Sequence, residues 1–216
     1  ATDVFFKPDG TRMYVVSDRS GNDQVYSYDL STAWDVTSAV YRTVVSISEG
    51  RPSGIFWKPD GTRFYLTGYT GDDVDEYNVS TAWSLASISF VRSFSIASQD
   101  TSPHGAFFKP DGTKMYVVGD NNDKIYEYNL SSAWNISSAS YSQSFSTSSQ
   151  DTSPVGIYLT ADGLKLFVVG GANDSVYQYT LSTAWDITTA SFVNSFSTAS
   201  QDTAPRTVFF KPDGTQ

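Results

Sequence analysis

Asparagine and aspartate recur in pairs at a near-fixed spacing along this 216-residue chain, at Asn22-Asp23, Asp72-Asp73, Asn122-Asp123 and Asn173-Asp174. A further acid recurs at Asp100, Asp151 and Asp202. Carboxylates gathered on one face could hold Ca²⁺, which takes roughly six to eight oxygen ligands. They could equally accept hydrogen bonds from sugar hydroxyls. The same residue types are good turn formers, because short polar side chains tolerate the left-handed backbone region. No loop carries the D-x-D-x-D-G calcium pattern with its distal Glu. The spacing therefore assigns no cofactor, Ca²⁺ is kept only as a candidate, and Asp72, Asp123 and Asp174 stand as candidate ligand-binding residues.

A second constellation is marked by variation at a fixed place. Thr2, Ser53, His104, Val155 and Arg206 each lead into one short apolar run per repeat. His104 is the sole histidine, the side chain whose ordinary pKa lies near neutrality. It has no second His or Cys to share a metal and no evident nucleophile partner, so no catalytic residue is assigned. His104 and Arg206 join the ligand-binding candidates. By contrast, Ser-Gln-Asp-Thr-(Ser/Ala)-Pro occurs three times, at 98–103, 149–154 and 200–205. Such repetition suits architecture, since a catalytic site needs asymmetric parts.

The elements that must position these residues follow from an Asp-Gly pair at 9–10, 60–61, 111–112, 162–163 and 213–214, every 51 residues. A period of this size signals a repeat architecture. In the third copy, 105–109 reads as a strand apolar on both faces. Pro110-Asp111-Gly112 supplies a turn, and 114–119 and 124–130 follow as strands across an Asn/Asp turn. One Trp per copy (Trp34, Trp83, Trp134, Trp185) is expected to wedge between neighbouring units. A fourth strand from Tyr141 to Ser148 is expected to alternate, with Tyr141 and Phe145 on one face. Third-strand aromatics such as Tyr126 and Tyr128 are expected in the packing.

Four antiparallel strands per unit, repeated radially, define an all-β fold, a β-propeller. The expected organisation is a single domain over 1–216, with blades near 1–51, 52–102, 103–153 and 154–204, and the first strand of a fifth copy in 205–216. The first copy differs by a longer turn at 17–24 and a shorter closing segment at 48–52. A closed four-membered ring offers no obvious place for a fifth inner strand. The leading expectation is therefore an excerpt of a longer array or self-association completing the ring, with a closed four-blade monomer as the alternative.

Charge narrows the partners. With 14 Lys and Arg against 23 Asp and Glu, the net charge is −9, which repels phosphate backbones, and no basic run exists. Nucleic acid is not an expected partner. No apolar run approaches the ~18 residues of a membrane span, so no membrane insertion is expected. The absence of cysteine excludes disulfide and thiol chemistry. Abundant Ser, Thr and Asn with little Lys suit an extracellular or surface-associated protein.

The Phe-Lys-Pro-Asp-Gly-Thr-Lys-Met-Tyr-Val-Val unit at 108–118 resembles the SPDG-type blade motif of TolB-like, lactonase-like and YVTN-type bacterial propellers. The Ser-Thr-Ala-Trp-Asp and Ser-Gln-Asp-Thr segments are similar to tandem propeller repeats of bacterial surface and phage-associated proteins. The resemblance covers every repeat, although Thr160-Ala161 replaces Lys-Pro in the fourth. It implies a propeller and carries no single activity, because those families include enzymes, interaction proteins and surface proteins. The Trp-Asp pairs do not make WD40 blades, which want an upstream Gly-His in each copy. The leading expectation is a non-enzymatic binding or adhesion module, with a lectin as one candidate kind, that presents loops to a glycan or protein surface. A structural repeat of a larger surface or fibre protein is the alternative, and a metal-dependent lactonase or hydrolase is the third.

Overall fold

Each Asp-Gly turn reverses the chain by the mechanism its residues imply. In the first, Gly10 sits at φ 73°, its N–H donates to the Lys7 carbonyl at 2.8 Å, and Asp9 Oδ1 accepts from the Thr11 N–H and hydroxyl. The same turn recurs at Asp60 and Asp111, and Leu164 takes the Thr place after Asp162. The computed structural model describes residues 1–18, 23–48 and 50–214. The longer first-copy turn around Asn22, and Glu49 of the shorter closing segment, lie outside the described residues.

Four antiparallel sheets follow. The first holds β1 (Asp3–Phe6), β2 (Arg12–Ser17), β3 (Gln24–Leu30) and β4 (Ala39–Ser46). The second holds β5 (Pro52–Trp57), β6 (Arg63–Gly68), β7 (Asp73–Val79) and β8 (Ile88–Ser95). The third holds β9 (Pro103–Phe108), β10 (Lys114–Gly119), β11 (Lys124–Leu130) and β12 (Ala139–Ser146). The fourth holds β13 (Pro154–Leu159), β14 (Lys165–Gly170), β15 (Ser175–Leu181) and β16 (Ala190–Ser197). Strands pair in sequence order within each sheet, which makes each one a blade, and the protein is a β-propeller with four complete blades.

The core lies between blades. One apolar cluster joins Tyr14, Val16 and Val25 to Ile55, Trp57 and Leu66. A second joins Tyr65 and Val74 to Phe108, Met115 and Val117, and a third joins Tyr116 and Val118 to Leu159, Leu166 and Val168. Each fully buried large side chain contributes about 1.5–3 kcal/mol, so the blades hold one another in place.

The Trp of each copy stands at this boundary, as its spacing predicts. Trp83, Trp134 and Trp185 offer their carbonyls to the hydroxyls of Tyr14, Tyr65 and Tyr116 of the preceding blade, at 2.6, 2.6 and 2.7 Å. Their indoles also lie over the Asp-Gly turn of their own blade, where a Cβ on Gly61, Gly112 or Gly163 would collide with the ring. The following Asp35, Asn135 or Asp186 caps a short 3-10 turn by accepting from the N–H two residues on. That capping role accounts for the Trp-Asp pairs.

Three expectations need correction. The third inner strand begins at Pro103, two residues before the apolar run. Tyr141 and Phe145 do not share a face, because the pairing of β11 with β12 shifts between Glu127 and Tyr128 and leaves Ser142 as an extra residue. A bulge of one residue reverses the alternation beyond it. Tyr141 therefore packs on Tyr128 of its own blade, while Phe145 meets Tyr179 of the next.

The third correction concerns residues 205–211. They form no strand, because the ladder partner a fifth blade would supply does not lie beside them. They nevertheless take an inner-strand position. Phe5, Phe56, Phe107, Tyr158 and Phe209 close a ring around the axis, each ring edge-on to the next at 5.2–6.0 Å. The blades are therefore spaced for five positions, and the fifth copy has a place that a four-membered ring would deny it.

Candidate binding site at the channel mouth

The inner strands all start on one face, so the residues that lead into them converge there. Thr2, Ser53, His104, Val155 and Arg206 line a cavity of about 260 Å³ with Ala1, Asp18, Arg51 and Tyr69. The variable position read from the sequence is thus the mouth of the central channel. Below it lies a narrower space of about 40 Å³, room for roughly two or three water molecules. The aromatic ring closes the channel beneath that.

The five side chains divide by what already occupies them. The Ser53 hydroxyl is buried and lies within reach of the Thr67 carbonyl (3.2 Å) and the Pro103 carbonyl (3.0 Å). Thr2 Oγ1 donates to the Pro52 carbonyl at 2.9 Å. His104 is 4% exposed. The Tyr69 hydroxyl lies 2.8 Å from its Nδ1 and also contacts Nε2, and Asp120 Oδ2 lies 3.1 Å from Nε2. Burial acts to raise the Asp120 carboxyl, but hydrogen bonds from His104 and Ser102 outweigh it and hold its pKa below the ordinary value. Arg206 is exposed. Arg51 is exposed too, with its guanidinium over the Tyr69 ring at 5.1 Å and 3.6 Å from Asp18.

Sequence reasoning missed Asp3. It occupies the place held by Gly54, Gly105, Gly156 and Thr207 in the other copies, and so puts a carboxylate into the channel. Its oxygens accept from the N–H groups of Val4 (2.8 Å) and Ile55 (2.7 Å). Burial outweighs these bonds and one from the Thr207 side chain, raising its pKa to about 6. The signal was the lone acid in a column of small residues.

The candidate turn acids do not join this cluster. Asp72, Asp123 and Asp174 all adopt positive φ of 48–53°, and none lines the mouth cavity. Their carbonyls accept from the N–H groups of Ile96, Thr147 and Thr198, which ties each turn to the outgoing end of its own blade. Asp100 and Asp151 are buried at 1% exposure. Asp151 accepts from the N–H groups of Ser153, Ala172 and Asn173 and from the Tyr177 hydroxyl, and Asp100 repeats the pattern with Ser102, Asn122 and Tyr126. The repeated acids thus join inter-blade loops to the next blade. Tyr126, Tyr128, Tyr177 and Tyr179 are buried with them.

No family model matches the chain, and no curated protein matches it by sequence. Solved structures match it across nearly its whole length. A functionally unknown protein from Desulfotomaculum acetoxidans superposes with a TM-score of 0.59 at 14% identity, over 99% of this chain and 60% of that one. A putative 6-phosphogluconolactonase from Bacteroides fragilis gives 0.64 at 14% identity, over 99% and 74%. The periplasmic gluconolactonase PpgL of Pseudomonas aeruginosa gives 0.61 at 16% identity, over 98% and 60%. Identities this low speak for the propeller fold alone, and the chain spans about 60% of the length of the first and third. No helix among the described residues is long and apolar enough to cross a membrane.

Proposed function

We propose that this protein is a non-enzymatic binding propeller that receives a polar, protruding group, such as the acidic terminus of a glycan, at the channel mouth. The observation that carries the reading is a contrast. The repeated acids Asp100 and Asp151 are taken up by backbone N–H groups and a Tyr hydroxyl, whereas a position that differs in every copy lines the mouth. A cavity of about 260 Å³ falls below the roughly 300 Å³ of drug-sized pockets, which suits one sugar ring or one side chain. Arg206, exposed at the rim, supplies a fixed fork of donors that matches a carboxylate. Such a ligand accords with an extracellular or surface location.

Titration calorimetry against neutral and acidic mono- and disaccharides tests this reading. Binding of an acidic sugar is expected, with Kd rising about tenfold or more in Arg206→Ala, a loss of about 1.4 kcal/mol. An unchanged Kd in that variant removes the site, and no binding by any sugar removes the ligand class. Turnover of a sugar lactone that is lost in His104→Ala would transfer support to the hydrolase reading.

A further inference from the structure

The fifth position of the ring is walled but open, and its walls match the faces that pack together elsewhere. On the fourth blade, Phe196 is 69% exposed. Its counterparts Phe94 and Phe145 pack against Tyr128 and Tyr179 of the following blade. Phe196 borders an open groove of about 260 Å³ with Phe167, Val176, Val208 and Phe210. On the first blade, Val36 is 58% exposed, whereas Leu85, Ile136 and Ile187 at the same place are at most 2% exposed. Those three sit in 3-10 turns, and each turn lies against the fourth strand of the preceding blade.

The polar seam is open at the same place. Asp100 and Asp151 are buried by the next blade, while their counterpart Asp202 is exposed. Arg12 and Arg63 donate to the Trp carbonyls of the following blade, and Lys114 lies 3.4 Å from the third such carbonyl. Lys165, next in the series, is exposed. The turn at Gly214 has the φ of the others, 71°, with nothing over it where the others carry an indole.

We propose that this gap is the seat of a fifth blade, filled by three antiparallel strands of the repeat's own kind laid beside residues 206–211. The turn at 211–214 is closed as in the other copies, with the Gly214 N–H on the Lys211 carbonyl at 2.8 Å, and Phe210 just before it lines the gap. The occupant presents a third-strand Tyr to Phe196, a fourth strand to Val36, a Trp carbonyl to Lys165 and turn N–H groups to Asp202. It also gives residues 206–211 a ladder partner, turning them into a strand.

The test extends the full chain after Gln216, which aligns with Lys114, by a second copy of residues 115–148. The extended chain is expected to melt at least about 5 °C higher and to bind less of an apolar dye than the parent. Phe196→Glu is expected to leave the parent's Tm within about 1 °C and to lower that of the extended chain by several times as much. Where the extended chain does not fold, the 115–148 peptide is added in trans. Slowed exchange of the amides at 206–210 then supports the proposal, and its absence counts against it. An unchanged Tm and unchanged dye binding on extension overturn it. So does a parent that is dimeric by light scattering and becomes monomeric in Phe196→Glu, because a second copy would then fill the gap.

Discussion

Alanine at Asp151 should be far more costly than alanine at Asp202, although both occupy the same place in a repeated hexapeptide. The Asp151 carboxylate accepts from three backbone N–H groups at 2.8–3.2 Å and from the Tyr177 hydroxyl at 3.2 Å. The Asp202 carboxylate accepts from the Ala204 N–H at 2.8 Å. A bond to a charged acceptor contributes about 1.5–3 kcal/mol net. Water can serve the donors nearest the surface, so counting about two of the four gives about 3–6 kcal/mol for Asp151→Ala. That is a large part of the roughly 5–15 kcal/mol that holds an ordinary domain together. Asp202→Ala should cost about 0.5–1.5 kcal/mol. Urea titration followed by tryptophan fluorescence reads both as shifts in midpoint, with the slope checked for constancy. Costs that agree within about 1 kcal/mol would refute the assignment of these acids to blade joining, and would reopen Asp100 and Asp151 as ligand groups.

Two further outcomes follow from the geometry. Asp3, raised from 3.8 to about 6 by burial, holds its proton in the folded chain after the unfolded chain has released it. The Asp3 contribution to stability should therefore fall as pH rises from about 4 to about 6, by up to about 3 kcal/mol, against the opposite slope of carboxyls held low, such as Asp9, Asp60 and Asp111. Asp3→Asn should remove that fall, so the midpoint of the variant should gain on the wild type as pH rises through this window. Asp75, also raised by burial, keeps a residual slope of the same sign, and a wild-type slope in Asp3→Asn would count against the Asp3 assignment. Gly112→Ala should lose more than the ~1–2 kcal/mol of a left-handed alanine, because its Cβ collides with the Trp134 indole. Gly214→Ala, at nearly the same φ with nothing above it, should lose only the backbone part. Equal thermal shifts in the two variants would show that the indole contact contributes nothing.

Much of this was legible because turn chemistry is local. Pro-Asp-Gly, the Asn/Asp pairs and the alternating runs between them specify each blade without reference to its neighbours. Convergence of Thr2, Ser53, His104, Val155 and Arg206 was legible too, since equivalent positions in a radial repeat must meet near the axis. The number of positions around the ring was not, because it depends on the angle between packed blades and no residue encodes that alone. The bulge at Ser142 stayed hidden because an inserted residue and a regular one look alike in an alternating Ser-rich strand. Asp72, Asp123 and Asp174 take left-handed backbone away from the mouth cavity, and sequence alone does not separate a residue chosen for that backbone from one chosen for a ligand, because the side chain is the same. Asp3 was readable in principle, but only by comparing columns across copies.

The mouth and the gap are coupled through one segment. Residues 205–211 carry Arg206, an exposed cation at the rim, and Phe209, which closes the aromatic ring against Phe5 and Tyr158. They also carry Phe210, which packs on Phe167 at the edge of the gap. They hold this place by side-chain packing without a ladder of backbone bonds. A strand laid beside them would fix their register, and a fixed register would fix where Arg206 points. Preorganising a binding group lowers the ordering cost of association. Filling the fifth position should therefore tighten binding at the mouth without adding any contact to the ligand.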